Sequence, residues 1–264
     1  MAPDPRSDAH EKVDTLARQR RLAVRIAAQP LKRNIRLRFL LALFLSCGIS
    51  FPATAGSYED FFTAIRLDRP DTIQELLDRG FDPNTVNEKG IPALVLAMQS
   101  KSLKSALVLI QANTTKLNAT NLNDENALML AAIQNEQELA QWLVDKGAEV
   151  NKFGWSPLHY AATKGHIRMM RLLIENDAYL DAESPNGTTP LMMAARYGTP
   201  LAVKLLLEEG ADPRIQNKLG FDALEFAKHS LHPQSQDAKE YILAFLHSWN
   251  LQYPPDPVNA TKSE

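Results

Sequence analysis

His229 and His232 stand three residues apart just before Pro233, close enough for two imidazoles to share one metal ion. A protein metal site needs three or four donors, and no third ligand follows at a useful spacing. A metal-binding or enzymatic protein using His229 and His232 is therefore the rival reading, not the leading one. The single cysteine, Cys47, excludes a disulfide scaffold and a multi-cysteine zinc site. The chain contains no H-E-x-x-H, G-x-S-x-G or C-x-x-C pattern. Nor is there a G-x-G-x-x-G or Walker pattern, so no glycine loop is left to cradle a phosphate. The expectation is no catalytic residue, no bound metal, no cofactor and no enzyme.

The glycines have another employment, which appears once the chain is searched for self-similarity. Residues 154–166 read GWSPLHYAATKGH, and residues 187–198 read GTTPLMMAARYG. Weaker copies start at Gly90, Asn126 and Gly220, and Phe61 fits one period earlier. The recurring leucines are Leu94, Leu128, Leu158, Leu191 and Leu224, spaced by 34, 30, 33 and 33 residues. A second landmark, leucine and another aliphatic residue followed by glycine, returns at Leu76–Gly80, Leu143–Gly147 and Leu206–Gly210.

Each unit reads as a helix, a tight turn and a second helix. Ser156 or Thr189 supplies a cap that accepts an orphan backbone N–H. Pro157 or Pro190 follows at the first helical position, where a missing N–H costs nothing. Leu158, Ala161 and Ala162 recur at helical spacing, and the small alanines allow close packing. Gly165 or Gly198 separates the paired helices. Gly147 or Gly210 ends the second helix in the left-handed region. The segment beyond it turns outward as a finger.

This pattern resembles the ankyrin repeat, with its period near 33 residues and its T-P-L-H-x-A core. The resemblance covers residues 57–249 in six units, with specific motifs in units four and five and degraded ones in units two, three and six. It implies an all-α solenoid of about six helix-turn-helix units with short finger hairpins. His159 falls at the repeat's histidine position, where the ring usually bonds the neighbouring finger. The resemblance also implies that partners meet the finger tips and the exposed side of the first helices. Carried over residue by residue, that surface includes Phe153, Trp155, Arg196, Tyr197, Leu219 and Phe221, large side chains at positions the fold does not need filled. Trp155 and Tyr197 are expected to lie off the buried stripe. The finger holding Phe153 and Trp155 is three residues short, so an inward fold of both is the other reading.

Charge divides the chain. Residues 1–55 hold ten basic and four acidic side chains, and residues 56–264 carry a net charge of −8. An acidic array without a basic stripe argues against nucleic acid. From Arg18 to Arg38 there are eight basic residues and no acid. Residues 39–51, FLLALFLSCGISF, then form an apolar run of thirteen, followed by Pro52 and Ala53-Thr54-Ala55. A basic flank, a short apolar core and a small-x-small exit make a secretory signal, with cleavage expected after Ala55. The run is shorter than the roughly 20 residues of a membrane-spanning helix, though an uncleaved inner-membrane anchor is the alternative. Residues 1–38 are a basic extension or reflect a start placed too early. The tail from Asn250 holds three prolines and is expected to lack structure.

The combined expectation is an exported, monomeric protein-interaction module, in a bacterial periplasm, touching membrane only through an uncleaved signal segment. A secreted effector acting on host proteins is a further alternative.

Overall fold

The computed structural model describes residues 53–230 and 233–252, with side chains described for 56–230 and 233–248. The basic extension, the apolar run with Cys47, His232 and the last twelve residues lie outside the described residues. Twelve helices follow one another in six pairs. They are α1 (Ala53–Arg66) with α2 (Pro70–Asp78), α3 (Ala93–Gln99) with α4 (Leu103–Gln111), and α5 (Ala127–Gln134) with α6 (Gln137–Asp145). Then come α7 (Pro157–Lys164) with α8 (Ile167–Glu175), α9 (Pro190–Tyr197) with α10 (Pro200–Glu209), and α11 (Ala223–Lys228) with α12 (Ser235–Gln252). Among the described residues there is no strand, and one antiparallel bridge, Val86 with Pro92, closes the first finger.

The ends differ from the sequence reading. α1 begins at Ala53, so the bond after Ala55 lies in its first turn, and cleavage there would shorten the helix to start at Gly56. The last helix runs to Gln252, beyond the expected end at Trp249.

The core is one continuous seam, because no unit can bury its apolar side alone. Phe61, Leu94, Leu128, Leu158 and Leu191 are buried at the repeating position. Ala97, Ala131, Ala161, Ala194 and Ala227 are fully or almost fully buried one turn later, where a larger side chain would push adjacent helices apart. In the last unit Leu224 is only half-buried, as an end unit with one neighbour requires.

The caps follow the sequence where it is regular. Asn126 Oδ1 accepts from the Met129 N–H at 2.9 Å, and Asp222 Oδ1 from the Glu225 N–H at 2.9 Å. Gly198 is fixed by approach, not by handedness: a Cβ there would stand 2.4 Å from the Ala162 carbonyl oxygen. Several turns keep the repeat's backbone without its glycine. Asp68, Lys101 and Asn135 hold φ of 48°, 56° and 63° at the turn between paired helices, and Asp177 holds 61° where its neighbours carry Gly147 and Gly210. Asp and Asn tolerate this region because their short polar chains bond locally, whereas lysine gains no such relief. Lys101→Gly should raise stability by roughly 1 kcal/mol in a urea melt, the cost of a side chain in the left-handed region less the added freedom of the unfolded chain.

Successive units are also tied by a polar ladder. Asn84 Oδ1 accepts from the Lys116 N–H at 2.7 Å, and Asn118 Oδ1 from the Glu149 N–H at 2.8 Å. Asn151 Oδ1 accepts from the Tyr179 N–H at 2.7 Å, and Asp181 Oδ1 from the Asp212 N–H at 3.0 Å. Asn84 and Asn151 each also donate from Nδ2, to the carbonyls of Thr114 and Asp177. One side chain per unit thus satisfies loop backbone groups of the next.

Candidate functional site

The repeat's helix motif builds the joint on which the exposed surface rests. The side chain at the third position of α7 is His159, fully buried between its own cap and the next finger. The Ser156 N–H lies 3.1 Å from Nδ1 and the Ser156 hydroxyl 2.8 Å from it, while Nε2 lies 2.9 Å from the Thr188 carbonyl oxygen. A backbone N–H can only donate and a carbonyl can only accept, so the ring is neutral with its proton on Nε2. Burial pushes its pKa down to about 4, outweighing the backbone contacts at Thr188 and Ala182 that pull it upward. The imidazole therefore staples unit four to unit five and carries no catalytic proton at neutral pH. His166 reaches the other way, to the Ile133 carbonyl at 3.2 Å.

Fingers and first helices share one face along the array. Tyr58, Phe62 and Arg66 of α1, residues 87–91 of the first finger, and Leu96, Gln99 and Ser100 of α3 enclose a cleft of about 500 Å³. Further along, the Tyr160 hydroxyl of α7 donates to Glu125 of the preceding finger at 3.2 Å, and that carboxylate raises the phenol's pKa together with burial, the larger cause. At the far end the Phe221 ring of the last finger stacks on His229, centroids 6.2 Å apart. The finger tips are held by their neighbours: Pro185 would contact a Cβ at Gly154, and the Lys218 N–H donates to the Asn186 carbonyl at 3.0 Å.

On this face the six expected contact residues separate. Phe153 is 93 % exposed, Leu219 73 %, Tyr197 53 % and Phe221 42 %. Arg196 is half-buried, with its guanidinium 5.4 Å from the Tyr197 ring centroid. Trp155 departs from the surface expectation. It is half-buried and meets the His159 ring edge-on, centroids 5.2 Å apart. The position directly after the finger glycine is covered in other units as well, Thr188 being buried and Ile91 half-buried, so the indole there lies against the capping histidine. Phe153, on the other side of the turn, points clear.

Two further finger positions complete this face. Lys152 forms an ion pair with Asp124 of the preceding finger, and its side chain is only 12 % exposed. Leu122, on that same finger, is 87 % exposed. The repeat register marks both as finger positions, whereas the ion pair between neighbouring fingers has no signature in the sequence. The rival metal reading finds His229 engaged, with Nδ1 2.9 Å from the Glu225 carbonyl and the ring against Phe221. Its intended partner, His232, lies outside the described residues, and no group of three potential ligands occurs among the described ones.

Comparison with known proteins agrees with the geometry. The family profile for ankyrin repeats matches residues 61–153 and 149–217. The Drosophila melanogaster tyrosine-protein kinase Shark is 28 % identical over 210 residues, 78 % of this chain and 21 % of the kinase. The mouse nuclear factor NF-kappa-B p105 subunit is 35 % identical over 128 residues, 47 % of this chain and 12 % of that subunit. The chain thus spans a small part of these curated relatives. Among solved structures, an ankyrin repeat domain from Acinetobacter baumannii superposes with a TM-score of 0.62 at 23 % identity, over 70 % of this chain and 96 % of that one. The ankyrin repeat domain of Bcl-3 gives 0.59 at 25 % identity, over 70 % and 81 %.

Proposed function

The chain belongs to the ankyrin-repeat family, a fold that serves as a scaffold for protein–protein interaction, and from that premise we propose that it binds a protein partner on the face made by its fingers and first helices. The observation that supports this is the exposure of Phe153, Tyr197, Leu219 and Phe221 together on that face. None of the four fills a core position, and aromatic side chains held by a rigid scaffold make effective contact anchors. A photo-cross-linking residue at position 153 or 219 should capture a defined partner from the native compartment, while one at Tyr179, exposed near the second helices, should not. Equal capture from all three positions, or from none, would remove the reading.

We place this activity outside the cytoplasm, in a bacterial periplasm, on the strength of the basic flank, apolar run and small-residue exit in residues 32–55. The exported protein should begin at Gly56, which N-terminal sequencing of the fractionated chain checks. A membrane-bound species that retains residues 39–51 would instead support the anchored form.

A further inference from the structure

The interaction face is not uniform in charge. In units four to six, the fingers and first helices (151–165, 182–198 and 215–230) carry five cations: Lys152, Lys164, Arg196, Lys218 and Lys228. They carry three carboxylates: Glu183, Asp222 and Glu225. The corresponding stretches of units one to three (57–68, 85–101 and 119–134) have the opposite balance, six acids against Arg66, Lys89 and Lys101. The rest of the array is acidic as well, since residues 56–264 carry a net charge of −8.

Two of the five cations on this stretch are already matched. Lys152 is paired with Asp124, and Lys228 with Glu225 at 2.9 Å. Asp222 accepts from the Glu225 N–H as a helix cap. On the second helices Arg171 is matched with Glu209 at 3.9 Å and Lys204 with Glu208 at 3.7 Å, while exposed Arg168 lies away from the apolar residues of the fingers. Lys164, Arg196 and Lys218 have no carboxylate within 4.0 Å among the described residues. Lys164 and Lys218 are exposed, and the Arg196 guanidinium is steadied over the Tyr197 ring. A guanidinium held in this way loses less freedom when it takes a carboxylate in bidentate geometry. Interleaved with the three cations are Phe153, Tyr197, Leu219 and Phe221.

We propose that the finger and first-helix face of units four to six binds an acidic polypeptide segment that also carries apolar side chains. Lys164, Arg196 and Lys218 receive its carboxylates, and Phe153, Tyr197, Leu219 and Phe221 receive its apolar groups. This rests on the protein-binding reading above and names the chemistry of the partner. Three unmatched cations inside an otherwise acidic array favour a ligand of opposite sign, and the acidic remainder repels that ligand everywhere else, which confines it to this face.

A random dodecapeptide display library, panned on the full chain at low ionic strength, tests the proposal. Selected peptides should be net acidic and contain aromatic or aliphatic residues. The triple variant Lys164→Glu, Arg196→Glu, Lys218→Glu should bind them at least ten-fold more weakly, whereas Arg168→Glu on α8 should bind them as the parent does. Lys218→Glu alone, on a finger tip, gives the same direction if a urea melt shows the triple variant unfolded. Selected peptides of neutral or basic character, no enrichment, or acidic peptides insensitive to the reversals would each overturn the proposal. Tighter binding of a single-stranded oligonucleotide, or self-association in sedimentation abolished by the reversals, would overturn it too, by naming another occupant. A partner captured at position 153 that ignores the reversals ends this proposal and leaves the protein-binding reading standing; failure of capture at 153 and 219 removes that reading itself.

Discussion

Lowering the pH from 7 to 4 should remove about 3 kcal/mol of folding stability through His159 alone, from one pKa unit being worth about 1.4 kcal/mol. The unfolded imidazole takes up a proton near pH 6.5, but the folded one only near pH 4. Between those values the unfolded chain binds more protons, so the contribution is complete above about pH 6.5 and declines as the pH falls toward 4. The physical cause is burial of the ring, which disfavours the charged form; Nδ1 also faces the Ser156 N–H, so a second proton there would meet a donor and break the cap. Asp212, whose carboxyl is held below its usual value by Arg214, also costs stability in acid, as does Glu225 beside Lys228. Urea melts of the parent and His159→Gln at pH 7, 6, 5 and 4 separate these contributions. The stability difference between the two proteins should narrow by about 3 kcal/mol over that range, the same linkage applied to one group. A difference independent of pH would mean that His159 is not held neutral by its surroundings.

The second expected result sets core against surface on the same two units. Leu158→Ala should cost roughly 2–5 kcal/mol, because the side chain is buried at the centre of the seam and helices on both sides limit collapse of the cavity. Phe153→Ala and Tyr197→Ala should stay within about 1 kcal/mol of the parent, as exposed positions do. Trp155→Ala should fall between, at roughly 1–2 kcal/mol, since a half-buried indole forfeits part of what a core tryptophan loses. The measurement is a set of urea melts with a common slope. If Trp155→Ala matched Leu158→Ala, the indole would be core; if it matched Phe153→Ala, its contact with His159 would contribute nothing.

How much was legible in the chain follows from which interactions have a residue-level signature. Units four and five announced themselves because Ser156-Pro157 and Thr189-Pro190 are local instructions: cap, proline, apolar stripe. The role of His159 came with the same motif. The turns of units one to three were harder, since Asp68, Lys101 and Asn135 adopt the conformation that glycine marks elsewhere, and neighbouring packing imposes it. The start of α1 was missed because Ala53-Thr54-Ala55 reads equally as a helical turn and as small residues at a cleavage site. Trp155 was read as an exposed finger tip, but the position after the finger glycine packs toward the helices in other units too, where Thr188 is buried and Ile91 half-buried. The unmatched cations on units four to six were invisible because pairing is decided across repeats. Lys152 and Lys164 look alike in sequence, yet only the first finds Asp124.

Asn84, Asn118, Asn151 and Asp181 each grip a main-chain amide, so each repeat recognises the path of the next chain segment and not the identity of its residues. The amides belong to Lys116, Glu149, Tyr179 and Asp212: a cation, two anions and an aromatic. A joint of this kind is blind to mutation on its far side. Substitutions can accumulate at those outward positions without loosening the joint, and a duplicated or transplanted unit would find a fitting neighbour with no matched change in return. Insertion of one residue before Asn118, or removal of three from the third finger, is absorbed for the same reason. The array is thereby free to lengthen, shorten and diversify its outer surface while its internal register is inherited unchanged.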